Sequence, residues 1–280
     1  MSNKGVYEHQ RAVTSDKRVY LLTRCAFAGQ QRYAANTWSG DVVCNWETFR
    51  KQIPTGLNFS LSGIPYWNTD IGGFFNWPYH GGAENKAYHE LYTRWFQYGT
   101  FLPMQRSHGS GVKKEIYNLG KKGDWVYDSE EKYINLRYAL LPYLYSTGWQ
   151  VTDNAGSFLR ALFMDFNEDQ KVHTISNQYM FGKAFLVTPV TKNMYVFSDK
   201  EQWKDPYEDF SKTGTQDVYL PKGTKWFDFW TGEALNGGQM VTKEVPIDII
   251  PLYVRAGSIV PFGPKVQYST EKKWNNLEIR

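Results

Sequence analysis

Residues 23–41 read TRCAFAGQQRYAANTWSGD, and the fold follows from how this stretch is taken. A short apolar run at residues 19–23 has the character of a strand and delivers Arg24 to its end. A polar loop with Gly29, Gln30, Gln31 and Arg32 follows. Residues 36–41 form a second short strand that closes on Trp38, Ser39, Gly40 and Asp41. An arginine and a carboxylate thus stand at the ends of consecutive strands, with an indole beside the carboxylate. Desolvation against an apolar ring raises a carboxyl's pKa, which keeps a carboxylic acid available as a proton donor near neutral pH. An arginine nearby can fork onto hydroxyls or a second carboxylate. The same residues also suit a capped turn, because Gly-Asp ahead of an apolar run is common turn chemistry.

Working outward, the pattern alternates. Residues 6–18 are polar and read as an incoming helix or loop. Residues 45–57 place Trp46, Phe49, Ile53 and Leu57 at helical steps, with Pro54 expected to kink or end the helix. Residues 57–66 are apolar with small residues, as in a buried parallel strand. They run into a loop with Asp70 at its apex and Gly72 and Gly73 behind it. Residues 85–97 return to helical spacing through Tyr88, Leu91, Tyr92 and Trp95. Residues 100–104 read as a strand ending in Gln105, Arg106, Ser107 and His108, and residues 130–149 as one long helix. Strand-helix alternation argues for βα units around a parallel sheet. Arg24, Asp41, Asp70 and His108 all fall at strand C-terminal ends, where a (β/α)8 barrel places its active site. About four strands precede residue 110, half of what such a barrel requires.

After residue 172 the strands are short and separated by turn signals, such as Lys222-Gly223, Thr231-Gly232 and Ala256-Gly257. This predicts an all-β sandwich. The expected division is 1–172 for the C-terminal half of a (β/α)8 barrel and 173–280 for a β-sandwich, with residues 193–215 a long surface loop.

Composition narrows the function. The chain has 280 residues, enough to bury a substantial core. Its 32 basic and 28 acidic residues nearly balance, with no basic block, which argues against nucleic acid as a partner. Aromatic residues make up 17%, including 11 Trp and 20 Tyr, and several sit in polar loops where core packing alone explains them poorly. Indole and phenol faces suit sugar rings. The two cysteines, Cys25 and Cys44, have no ligand spacing and read as buried free thiols. The five histidines form no zinc pattern, so no metal and no cofactor are expected. No apolar run reaches the roughly 18 residues that suggest a membrane span.

Three segments together carry a resemblance: RCAFAGQQRYAANTWSGD (24–41), GLNFSLSGIPYWNTDIGGF (56–74) and FLPMQRSH (101–108). They closely resemble the C-terminal half of the catalytic barrel of glycoside hydrolase family 31. The segments FLVTPV (185–190), VYLPKGTKWFDFWTGE (218–233) and IPLYVRAGSIVP (250–261) are similar to that family's C-terminal sandwich. The resemblance implies a retaining exo-acting α-glycosidase working through two carboxylates. Asp41 matches the family's general acid/base. Arg24 matches the arginine that holds substrate hydroxyls, and His108 the histidine that bonds the same sugar. Trp38 and Phe74 match pocket-wall aromatics, and Asp70 an acidic residue of the pocket. Asp70 reads equally well as a structural partner of Arg106, and Trp38 as packing support for Asp41.

The resemblance also implies a nucleophilic aspartate upstream of Arg24, and the sequence shows no matching motif there. The expectation is a fragment of a longer enzyme that is inactive alone. The loop GQQRYAANTWSGD (29–41) and the stretch GIPYWNTDIGGFF (63–75) look most like α-xylosidases that release xylose from xyloglucan-type oligosaccharides. An α-glucosidase, or an inactive sugar-binding remnant, stands as the alternative.

Overall fold

The computed structural model describes residues 2–275 and 277–280. The polar start of the chain is a helix, α1 (Ser2–Val13). Strand β1 (Leu21–Thr23) then pairs in parallel with β2 (Ala35–Trp38), in the register Thr23 to Thr37. Helix α2 (Trp46–Leu61) follows, and β3 (Trp67–Asn68) joins the far side of β2, also in parallel. The expected fourth strand is reduced to single parallel bridges, Ile71 to Ser107 and Phe75 to Ser110. These segments form a parallel sheet in chain order, the arrangement of a partial (β/α)8 barrel.

Two helices depart from the sequence expectation. Residues 57–61 continue α2 rather than starting a strand, and Pro54 sits inside the helix. The buried series Phe49, Ile53, Leu57 and Ser60 keeps the helical period through the proline, so packing outweighs the one lost hydrogen bond. Gly56 in this helix lets it approach β3: a Cβ there would lie 2.7 Å from the Trp67 ring. The predicted single helix at 130–149 is instead α5 (Trp125–Ala139) and α6 (Leu141–Asp153). The break falls at Leu140, with Pro142 at the start of the second helix, where a missing N–H costs nothing.

Between them, α3 (Lys86–Thr100) is nearly all buried and begins at Asn85, whose Oδ1 accepts from the Ala87 and Tyr88 amides. It runs through residue 100, so residues 100–104 contain no strand. A short α4 (Ile116–Leu119) precedes α5.

The remaining strands are β4 (Leu159–Arg160), β5 (Tyr179–Phe181), β6 (Phe185–Val187), β7 (Val196–Phe197), β8 (Tyr207–Glu208) and β9 (Thr215–Leu220). They continue as β10 (Lys225–Asp228), β11 (Ala234–Asn236), β12 (Gln239–Glu244), β13 (Leu252–Arg255), β14 (Pro261–Phe262) and β15 (Glu278–Ile279). Six form an antiparallel sheet in the order β11-β10-β13-β6-β5-β4, and β9 pairs with β12 opposite it. This is the β-sandwich. Its first strand, β4, lies within the segment that the sequence groups with the barrel. The loop expected at 193–215 holds the small β7-β8 pair.

The central strands of this sheet are buried on both faces. Tyr179, Phe181, Phe185, Val187 and Leu252 join the core under the barrel helices. Their neighbours Met180, Leu186 and Tyr253 pack into a second core with Val218, Leu220 and Trp226. The period-2 alternation of strands therefore places the sheet between both cores.

Buried polar groups of α3 fasten the two parts. Glu90 accepts the Met194, Tyr195 and Val196 amides at 2.7–3.3 Å. Arg94, one turn on and fully buried, donates to the carbonyls of Val245 (2.8 Å), Ile249 (2.8 Å) and Pro246 (3.2 Å). Gln97 donates to Ile247 at 2.6 Å. Replacing Arg94 with alanine removes the donor to Ile249, one of the donors to Val245 and Pro246, and the cation near Glu90. Urea unfolding of Arg94→Ala should show a loss of about 3–5 kcal/mol, the cost of breaking a buried charge network.

Candidate active site

The parallel register sets the site. Pairing of Thr23 with Thr37 brings the residues after β1 and β2 to one end of the sheet, so Arg24 and Asp41 meet there. Arg24 Nη2 lies 3.3 Å from Asp41 Oδ2, with the arginine side chain 61% exposed and the aspartate 28%. Gly40 takes a left-handed conformation against the guanidinium, which a Cβ there would contact at 3.4 Å. Asp41 therefore sits at a solvent-facing strand end. Ser39 ties this strand end to the next, its amide donating to Asn68 and its hydroxyl to Thr69.

Asp70 follows β3 and is fully buried. Its Oδ1 accepts from Arg106 Nη1, while Oδ2 is buried without a partner among the described residues. Burial raises the Asp70 pKa, opposed by the nearby charges of Arg106, His108 and Lys114. The negative charge of Asp41 adds slightly to the rise, so the two carboxylates are electrostatic neighbours. Arg106 also lies over the Trp38 ring, 5.3 Å from its centroid. Trp38, Arg106 and Asp70 thus stack as one unit beneath the strand ends. Phe74 and His108 form the other wall, with ring centroids 5.4 Å apart. All six residues singled out from the sequence come to the same end of the sheet, with Arg24 and His108 exposed and Asp70 at the base.

The paired glycines are needed here. Gly72 and Gly73 both have positive φ. A Cβ on Gly72 would meet Tyr92 at 2.4 Å, and one on Gly73 the Cys44 backbone at 2.8 Å. Cys44 is buried, but Cys25 is exposed, contrary to the expectation for it; both thiols are free. Cys25 lies in the loop beyond β1, outside the reach of the core.

Sequence reasoning missed Lys114. Its ammonium is buried behind the site and donates to the carbonyls of Ile71, Gly73 and His108. Burial lowers its pKa to about 8, with Cys44 and Asp70 nearby opposing the fall. A lysine in the polar run after His108 carries no sequence signal for a buried role; only the fold turns it inward.

With this geometry in hand, comparison with known proteins gives a consistent answer. Residues 1–147 match the Glycosyl hydrolases family 31 TIM-barrel domain, and residues 155–260 the Glycosyl hydrolase family 31 C-terminal domain. This chain belongs to glycoside hydrolase family 31. It is 46% identical over 280 residues to an alpha-xylosidase of Saccharolobus solfataricus, covering 100% of this chain and 35% of that protein. It is 32% identical to alpha-glucosidase 2 of Bacillus thermoamyloliquefaciens, covering 97% of this chain and 30% of that protein. A crystal structure of the alpha-xylosidase from Xanthomonas citri superposes with a TM-score of 0.85 at 43% identity, covering 96% of this chain and 28% of that one. The chain thus spans about a third of the length of the curated relatives it matches.

The buried pair yields a pH prediction. With Arg106 removed, the largest of the charges that offset the burial of Asp70 is gone, and its carboxyl holds its proton still more tightly when folded. The folded state then binds more protons than the unfolded chain, so stability falls as pH rises from the unfolded carboxyl value of about 3.9 toward the raised folded value. Arg106→Leu should lose stability over this window more steeply than the parent in urea unfolding at stepped pH. Parallel curves would show that the pair carries no such linkage.

Proposed function

We propose that this chain carries the acid/base side of a retaining α-glycosidase site. In this reading Asp41 protonates the departing glycosidic oxygen and then takes the proton of the water that releases the sugar. Arg24 and His108 hold sugar hydroxyls at the rim. Trp38 and Phe74 wall the pocket, and the free oxygen of Asp70 accepts from a sugar hydroxyl at its base. The observation that carries the reading is the pairing of Arg24 with Asp41 at the ends of adjacent parallel strands, where a barrel gathers its chemistry.

Retention needs a second carboxylate about 5–5.5 Å from the first. Asp70 is the other carboxylate at this face, and it is buried and held by Arg106. That pairing blunts it as a nucleophile and suits it to substrate binding. The attacking carboxylate is therefore assigned outside these 280 residues, and the chain by itself is proposed not to complete a double displacement.

The substrate is proposed to be an α-xyloside of the xyloglucan type. The Saccharolobus alpha-xylosidase at 46% identity and the Xanthomonas alpha-xylosidase structure support this over an α-glucoside; the alpha-glucosidase from Bacillus stands at 32%. Xylose differs from glucose by one hydroxymethyl group, so the pocket wall decides between them by fit.

Two measurements test these assignments in an active enzyme carrying this chain. Asp41→Ala should slow hydrolysis of poorly activated α-xylosides by about 100-fold or more, and of aryl xylosides with good leaving groups far less. Equal losses on both would remove Asp41 from the acid role. Side-by-side kcat/KM for aryl α-xyloside and aryl α-glucoside should favour the xyloside; a preference for the glucoside would move the enzyme to the other class.

A further inference from the structure

We propose that Lys114 is a positioning residue for the sugar site, setting the spacing between the loop that bears Asp70 and Phe74 and the segment that bears His108. The proposal rests on the glycosidase reading of this face, but its geometric part stands apart from it. The parallel bridges Ile71 to Ser107 and Phe75 to Ser110 frame the two segments. Four residue steps separate the bridges on the first side and three on the second. The first side therefore carries an extra residue, as in a β-bulge, and the ladder is interrupted between the bridges. Gly72 and Gly73, both at positive φ, take up the extra length.

An interrupted ladder leaves buried carbonyls without donors, which costs free energy unless another donor fills the gap. Lys114 fills it. Its three N–H groups match three acceptors: Ile71 at 2.9 Å and Gly73 on one side, His108 at 2.8 Å on the other. The residue is 6% exposed. Tyr92 locks the base of the arrangement, its hydroxyl touching both Ser107 Oγ at 2.7 Å and the Lys114 carbonyl at 2.8 Å. Phe74 and His108 stand on opposite sides of this bulge, so the ammonium sets the distance between their rings. Bulges beside active sites commonly re-aim side chains in this way.

The test uses two variants of the chain, each with two readouts. Lys114→Met keeps the length and removes the donors. Gly109→Ala leaves Lys114 intact but puts a methyl 2.7 Å from its Nζ, at a backbone position that does not require glycine. Amide hydrogen exchange should rise by about tenfold at residues 71–75 and 107–110 in Lys114→Met, and less in Gly109→Ala, with the β-sandwich amides unchanged. Xylose affinity by NMR titration should fall in the same order, and Lys114→Arg should recover part of it. Unchanged local exchange in both variants would overturn the proposal. So would a uniform rise across the chain in Lys114→Met with none in Gly109→Ala, since that marks a general stability role. Local loosening with unchanged xylose affinity would also overturn it, by uncoupling the spacing from the site. If the parent chain binds no xylose, the glycosidase reading of this face fails, while the exchange pattern still decides whether Lys114 sets the spacing.

Discussion

The buried side chains of α3 are the constraint on which the molecule depends. A helix sealed on all sides can keep charges only if each is bonded, and Glu90 and Arg94 achieve this by reaching into loops of the neighbouring sandwich. The sandwich thus supplies the polar partners that the helix needs, and the helix supplies the apolar face against which β5 and β6 pack. Neither part is satisfied alone. The opposite consequence matters for chemistry: the same helix presents Tyr88 and Tyr92 to Gly72, so its position sets where the Asp70 loop runs. The β-domain, though remote from the strand ends, therefore braces the candidate site through α3.

At the strand ends, parallel pairing does the gathering. Arg24 and Asp41 are separated in sequence by a polar loop, but their strands run side by side in register and end together. Asp70 belongs to the third strand and is drawn into a different environment. It is buried, tied to Arg106, and raised in pKa, whereas Asp41 stays at the solvent edge. Two carboxylates at one face thus stand in different surroundings, one buried against a guanidinium and one open to solvent.

Much of this was legible in the sequence. Short apolar runs ending in Arg24, Asp41, Asp70 and His108 predicted a parallel sheet with its chemistry at one end, and turn-separated strands after residue 172 predicted the sandwich. The paired glycines at 72 and 73 were visible as a loop, and the structure supplies the reason: each stands where a Cβ would collide with Tyr92 or the Cys44 backbone. The two strand misreadings share one cause. Residues 57–61 and 100–104 are short apolar runs whose periodicity does not separate strand from helix, and packing of α2 and α3 settled them as helix or turn. The split at Leu140 was foreshadowed by Pro142, but the sequence pattern alone continued through it.

What the sequence by itself determined was the order of elements, the family, and the residue types available at each strand end, because these depend on local pattern and on motifs short enough to read along the chain. The tertiary structure alone decided which of those residues meet. It paired Asp70 with Arg106 over Trp38, set Phe74 against His108, and turned Lys114 from an unremarked surface-type residue into a buried cation spanning a bulge. Those outcomes follow from backbone carbonyls and charges that must find partners once water is excluded, a demand that exists only after distant segments have been brought together.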